Sequence, residues 1–273
     1  MIKAKPFLKK LVQRILDDDV FGLSAQLAYF LLLSLFPFLL FLVTLVGYLP
    51  IDEDAVMDFI KTYAPADITD LITSNMSELV NNQNGGLLSI GIIGTLWSAS
   101  NGIKAVMKAF NRAHEIEEDR SFVFGRLISI VLTIAMVVVI CVSLLLPIFG
   151  KMIGEYLFSL FGATDSFIYF WSAMRWVISS VIIFIVLILM YKLAPNTKIY
   201  FKQAIWGAIF ATIGWQLVSL AFSYYVNTLG NYSATYGSLG AVIVLMIWFY
   251  ISGIIIIIGG VINATIMNRI QRV

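Results

Sequence analysis

The sequence predicts an all-α fold: a polytopic helical membrane protein with six transmembrane helices and a short amphipathic helical insertion after the first span. Three observations predict it. Hydrophobic residues make up 60% of the 273 positions and charged residues only 12%, about half the charge of a soluble domain. Charge is missing from whole stretches of about 20 residues or more, the length that crosses roughly 30 Å of hydrocarbon. Lys and Arg gather in alternate connections between those stretches. A soluble fold of this length has no core large enough for so much apolar surface.

The spans follow in order. Val20 to Ile51 carries no charge, which gives a first span over 24–48. Gly85 to Ile103 is the next such stretch, and the helix is expected to continue to Phe110, giving 85–110. Residues 127–150 form the third span. The fourth, 167–191, is interrupted by Arg175. Gln203 to Asn268 holds 66 residues without one formal charge, too many for one crossing. The polar, Gly-bearing stretch Asn227 to Ser238 divides it into spans at 203–226 and 239–262. Length decides for helices. Barrel strands need only about 10 residues and alternate in polarity, whereas Ile254 to Ile258 do not alternate. In lipid, a helix also pairs its own backbone amides.

Orientation comes from the basic residues. Segments 1–23, 104–126, 192–202 and the tail carry 15 of the 18 Lys and Arg. The opposite connections carry only Lys61 and Lys151, and Arg175 lies within a span. The positive-inside rule then places both termini in the cytoplasm. The chain divides into a cytoplasmic amphipathic segment (1–23), a membrane domain (24–268) and a short cytoplasmic tail (269–273). No short apolar stretch with a cleavage site precedes the first span, so that span is expected to direct insertion.

Two segments outside the spans show helical periodicity. Residues 51–84 hold seven acidic residues against Lys61. They read either as two short amphipathic helices around Pro65, capping the outer face, or as a solvated connection. Phe7, Leu8, Leu11, Val12, Ile15 and Leu16 share a helical face, with Lys9, Lys10 and Arg14 off it. That face lies either on the inner leaflet or against the protein itself.

Polar side chains within spans are costly in lipid, so each is a candidate site or interhelical contact. Gln26, Tyr29 and Pro37 fall on one face of the first span, read as a cavity lining or as a kinked helix interface. Trp97, Ser98, Ser100, Asn101 and Lys104 cluster near the inner end of the second. Arg175 is either buried and paired or marks a span that begins near Trp176. Gln216, Ser219, Ser223, Tyr224 and Asn227 descend one face of the fifth span, the best candidate for a polar pathway. Asn263 lies near the inner end of the sixth. The candidate substrate pathway is therefore Gln26, Tyr29, Pro37, Asn101, Arg175, Gln216, Ser219 and Ser223.

Several of these residues belong to recognisable motifs. They are Ser24-Ala-Gln-Leu-Ala-Tyr29, Leu33-Ser-Leu-Phe-Pro37, Leu96-Trp-Ser-Ala-Ser-Asn-Gly102, Gly207-Ala208, Tyr236-Gly-Ser-Leu-Gly240, Trp248-Phe-Tyr250 and Gly259-Gly-Val-Ile-Asn-Ala264. In this order and spacing, over about residues 10–268, the chain resembles the YihY/BrkB family of bacterial inner-membrane proteins, once labelled ribonuclease BN. The resemblance implies six spans in a bacterial cytoplasmic membrane and a loose link to envelope lipid export. The chain departs from the family at Val261, where many members resemble Gly-Ala-Glu-x-Asn with an intramembrane carboxylate.

The expected function is transport or handling of a lipid or other envelope amphiphile. The alternatives are a non-transporting membrane scaffold or assembly factor and, more distantly, a membrane-associated ribonuclease. Membrane lipids are the expected partners and nucleic acid is not. A second copy of the chain or another envelope protein stays open as a further partner.

No enzymatic activity, cofactor or metal is expected. The single Cys141 makes no internal disulfide, and the single His114 makes a His-rich metal site untenable. Asp17-Asp18-Asp19 and His114 to Asp119 offer acidic groups but no ligand spacing. The Gly-rich turn at 236–240 lacks the Lys-Ser/Thr of a phosphate-binding loop.

Overall fold

The computed structural model describes residues 4–46, 85–139, 165–229 and 239–270. Seven helices and no strand occur among them. They are α1 (Ala4–Asp17), α2 (Val20–Val46), α3 (Gly85–His114), α4 (Phe122–Val139), α5 (Asp165–Leu193), α6 (Phe201–Leu229) and α7 (Leu239–Ile270). All but α1 are long and apolar enough to cross a membrane. The polytopic all-α architecture is therefore present as expected. The amphipathic insertion expected over 51–84 lies outside the described residues, as does Cys141.

The centre of the bundle is α7. It is apolar on every side, the pattern of a membrane span, and is the more buried from Ser252 onward. It packs against α6, α2, α3 and α1, and Ile257, Val261 and Ala264 on it are fully buried. The most extensive pairing is between α2 and α3, and α5 leans on α6. Pro37 lies inside α2, where it removes one backbone donor. Large apolar side chains turned outward on every span, such as Phe36, Ile93, Val131, Val177, Ile213 and Val242, suit lipid as their solvent.

The amphipathic face of α1 divides between the two readings its sequence offered. Leu11 and Ile15 pack against the core, while Leu8, Val12 and Leu16 are exposed. Asp19 then turns the chain into α2 with a left-handed φ of 56°, and its carbonyl accepts the amide of Leu23 at 3.0 Å. α3 ends the same way. Glu115 has φ 59°, while the amides of Glu115 and Ile116 return to the carbonyls of Arg112 (2.9 Å) and Asn111 (3.0 Å), closing the helix in a Schellman turn.

Three of the basic segments converge at one end of the bundle. Arg14 donates to the Ala113 carbonyl at 2.7 Å and pairs with Glu115. The amide of Asn196 donates to Asn111 at 2.7 Å, and its side chain bonds Asp119 and the Glu117 carbonyl. Arg120 reaches the Ala194 carbonyl at 2.7 Å. Segments 1–23, 104–126 and 192–202 are thus tied together in space, here called the basic end.

Candidate functional site

The basic end holds the groups with chemistry to offer. Arg126 stands one turn into α4 and is only 7% exposed. Its Nη1 donates to Asn101 Oδ1 at 2.7 Å and its Nη2 to the Trp97 carbonyl at 3.1 Å. The guanidinium lies 3.7 Å from the centroid of the Trp97 ring, a stacking geometry suited to its planar, weakly hydrated charge. Among the described residues no carboxylate pairs with it and no group bonds its Nε. Desolvated cations are normally paired, so this one is short of negative charge.

Beside it, α3 and the α3–α4 connection form a cleft of about 650 Å³. Lys104, Lys108, Arg112 and Arg120 line it, with Glu118 as its one acid. Glu118 is occupied: it accepts from Arg120 Nε and from Asn111 Nδ2, both at 2.7 Å. Lys104 and Lys108 have no ion pair among the described residues. Arg112 has only a loose one, to Asp19 at 3.7 Å. Lys104 Nζ sits 5.0 Å from the centroid of Phe122, whose ring is 72% exposed at the start of α4.

The acidic residues near this end are drawn into structure. Asp18 is half-buried with Oδ2 unpartnered, and burial pushes its carboxyl above the usual carboxylate range against the pull of Arg14. Among the described residues no three His, Cys, Asp or Glu side chains converge as metal ligands.

The residues assigned to a pathway go to different places. Gln26 and Tyr29 face outward on α2. The polar groups that α2 buries are Ser24, Ser34 and Thr44, bonded to their own helix at the carbonyls of Val20 (2.7 Å), Leu31 (2.6 Å) and Leu40 (2.7 Å). Pro37 is half-buried against Gly94 of α3. Asn101 holds Arg126. Arg175 lies within α5, its side chain outside the described residues. Gln216 donates to Ser180 on α5 at 2.7 Å, and Ser219 accepts from Trp248 on α7 at 3.3 Å. Ser223 is exposed. Gln216 and Ser219 therefore join helices.

A central cavity does exist among the helices, but it measures about 60 Å³ and its lining is apolar, including Leu27, Ile103, Leu187 and Phe249. Cavities of that kind stay dry.

The motif residues of α6 and α7 are packing devices. Asn263, buried, accepts the Gly207 amide at 2.6 Å and donates to the Ala204 carbonyl at 3.2 Å. A Cβ on Gly207 would strike the Gly259 carbonyl. A Cβ on Gly259 would strike the Tyr191 hydroxyl, and one on Gly260 the Phe110 ring. Tyr191 itself donates to the Ile256 carbonyl at 2.9 Å. Val261, where a family carboxylate was expected to be missing, is fully buried in apolar surroundings.

Arg126 was not singled out by the sequence, because it lay one residue before the third span and counted as a flanking charge. The signal that could have found it is Phe122-Val-Phe124: an apolar run begins a turn earlier and places the arginine inside the helix.

Comparison with known proteins gives a consistent result. The family model described as virulence factor BrkB matches residues 11–273. A relative named ribonuclease-like protein YfkH, from Bacillus subtilis, is 53% identical over 263 residues, 96% of each chain. A UPF0761 membrane protein of Alteromonas mediterranea is 26% identical, covering 91% of this chain and 83% of its own. Another, from Pseudoalteromonas translucida, is 28% identical, covering 93% and 84%. No solved structure matches.

Proposed function

The chain belongs to the virulence factor BrkB family, and on that footing we propose that it sits in the bacterial cytoplasmic membrane with both termini inside and handles a lipid or other envelope amphiphile. The observation that carries this reading is Arg126. A buried guanidinium within a membrane span, held by an amide, a carbonyl and an indole instead of a carboxylate, is a standing invitation to a negative group at the membrane interface. The distribution of 15 of 18 basic residues supports the orientation. Exposed Leu8, Val12 and Leu16 on α1, beside Lys9 and Lys10, support contact with an anionic inner leaflet.

A small, apolar central cavity favours handling at the rim of the bundle over passage through its middle. The same observation favours a second reading, a non-transporting scaffold. A hydrolytic reading draws support only from the word in one relative's name.

Purified protein in liposomes separates the two. Accelerated movement of a labelled lipid between leaflets, lost in Arg126→Ala and kept in Gln216→Ala, is the expected result. No movement of any labelled lipid, with Arg126→Ala silent in cells, would replace handling with the scaffold. RNA degradation that follows the protein through purification and disappears on changing Asp18 or Glu117 would displace both.

A further inference from the structure

We propose that the cleft between the end of α3 and the α3–α4 connection binds the phosphate of a membrane lipid whose headgroup is anionic overall, with Lys104 and Lys108 as its principal partners and Arg112 as a third. The inference deepens the amphiphile reading above and rests on it.

The volume is that of a ligand site. About 650 Å³ falls within the usual range of roughly 300–1,000 Å³, about ten times the central cavity. The charge is one-sided. Four basic side chains meet one carboxylate, and that carboxylate is already held by Arg120 and Asn111. Arg120 is likewise committed, to Glu118 and the Ala194 carbonyl. The uncommitted positive charge is therefore Lys104 and Lys108, one helical turn apart, with Arg112 one turn further and only loosely tied to Asp19. The cleft is also lined by Ser121, Phe122 and Gly125 at the start of α4, whose positive helix end adds to the field.

A soluble anion and a lipid headgroup would both satisfy this charge. The surroundings favour the lipid. Phe122, which is exposed, lines the cleft, and the exposed Val123, Phe124 and Leu127 continue a row of apolar residues along the first turns of α4, the helix on which Ile134 and Val138 are exposed further along. A free phosphate has no use for that row. An acyl chain does, while its headgroup turns inward to Lys104 and Lys108.

Native mass spectrometry of the full chain in detergent tests this, with phosphatidylglycerol, phosphatidylcholine and inorganic phosphate titrated separately. Phosphatidylglycerol is expected to be retained over phosphatidylcholine, and millimolar inorganic phosphate is expected not to displace it. Lys104→Gln with Lys108→Gln is expected to cut retention roughly tenfold or more, and Lys104→Arg with Lys108→Arg to keep most of it. Lys108 is exposed, so Lys108→Gln alone keeps the fold and reads a partial loss. Lys198→Gln with Lys202→Gln, exposed at the same end but outside the cleft's lining, is expected to leave retention unchanged. Wild-type retention in the Lys104/Lys108 double variant, equal loss in the Lys198/Lys202 pair, or displacement by phosphate or by a short RNA as effective as by lipid would overturn the proposal. Binding without lipid movement in liposomes removes handling and leaves the cleft. Movement that survives in a double variant with unaltered retention removes the cleft and leaves handling.

Discussion

Asn263 on α7 accepts the amide of Gly207 on α6 at 2.6 Å, across a gap that exists only because Gly207 has no side chain. The contact fuses two polar needs in an apolar core: the amide group of Asn263 is satisfied on both sides, by Gly207 and by the Ala204 carbonyl. Close backbone approach through small residues is how helices associate when lipid removes the hydrophobic drive between them.

Gly207→Ala is accordingly expected to be the more damaging change at this contact. Its methyl would meet the Gly259 backbone, which cannot swing aside, and overpacking of this kind costs about 1–3 kcal/mol. Asn263→Ala removes two hydrogen bonds whose membrane equivalents average about 0.6 kcal/mol each. Apparent melting temperatures in detergent should rank wild type above Asn263→Ala above Gly207→Ala. The reverse order would mean that the helices are not in this register.

Gly259→Ala has a specific rescue. The closest clash is with the Tyr191 hydroxyl, which Tyr191→Phe deletes, while the Tyr191 ring carbon Cζ and the Gly207 carbonyl, both 2.9 Å from the new methyl, stay, so the rescue is partial. Each single change is expected to destabilise, the second by about 1 kcal/mol for its lost bond to the Ile256 carbonyl. The double variant should be more stable than the sum of the two predicts, with a coupling of about 1 kcal/mol or more measured in a thermal double-mutant cycle. Strict additivity would separate these residues in space.

Arg126 and Asn101 should be coupled in the same manner. Removing either breaks a charge-assisted hydrogen bond, worth about 1.5–3 kcal/mol. Removing Asn101 also leaves the cation more poorly held. Arg126→Lys is not expected to rescue, because an ammonium cannot both stack on Trp97 and reach Asn101 and the Trp97 carbonyl. Tryptophan fluorescence adds a second readout, since the Trp97 ring loses its covering guanidinium in every Arg126 variant. Full rescue by lysine would show that only the charge matters.

Asp18 supplies a pH dependence with a defined sign. Burial raises its folded-state carboxyl above the unfolded value, so the protonated form is the one the fold favours. The stability it contributes is present below the unfolded pKa and is lost as pH rises through the folded one. At neutral pH the ionised group is a burden. Asp18→Asn is expected to raise the apparent melting temperature by about 1–2 °C at pH 7–8, with the gain vanishing as the pH falls towards 4. A gain that grows in acid would reverse the assignment.

Much of the fold could be read from the residues because lipid is a demanding solvent. Long charge-free runs have few alternatives to crossing the bilayer as helices. The candidate site was harder. Gln26, Tyr29 and Pro37 share a helical face by spacing, but on a helix apolar all round, spacing defines a face without saying what it looks at. The structure turns Gln26 and Tyr29 outward and buries Ser24 and Ser34. Gly259 and Gly260 were visible as a motif, yet their purpose depends on Tyr191 and Phe110, which lie 68 and 150 positions away in the chain. Lys104, Lys108 and Arg112 register in a charge count as sidedness alone. Only folding shows that Glu118 is spent on Arg120 and Asn111, leaving Lys104 and Lys108 without an ion pair among the described residues.

Everything proposed for the basic end depends on which way the chain is threaded. The direct measurement is labelling of single cysteines in intact cells by a membrane-impermeant maleimide. The background is Cys141→Ser, with a cysteine introduced at Glu117, which is exposed in the α3–α4 connection. Position 117 is expected to stay unlabelled until the membrane is permeabilised and then to label fully. Prompt labelling of position 117 in intact cells would place the basic end outside and contradict the reading of an inner-leaflet headgroup site.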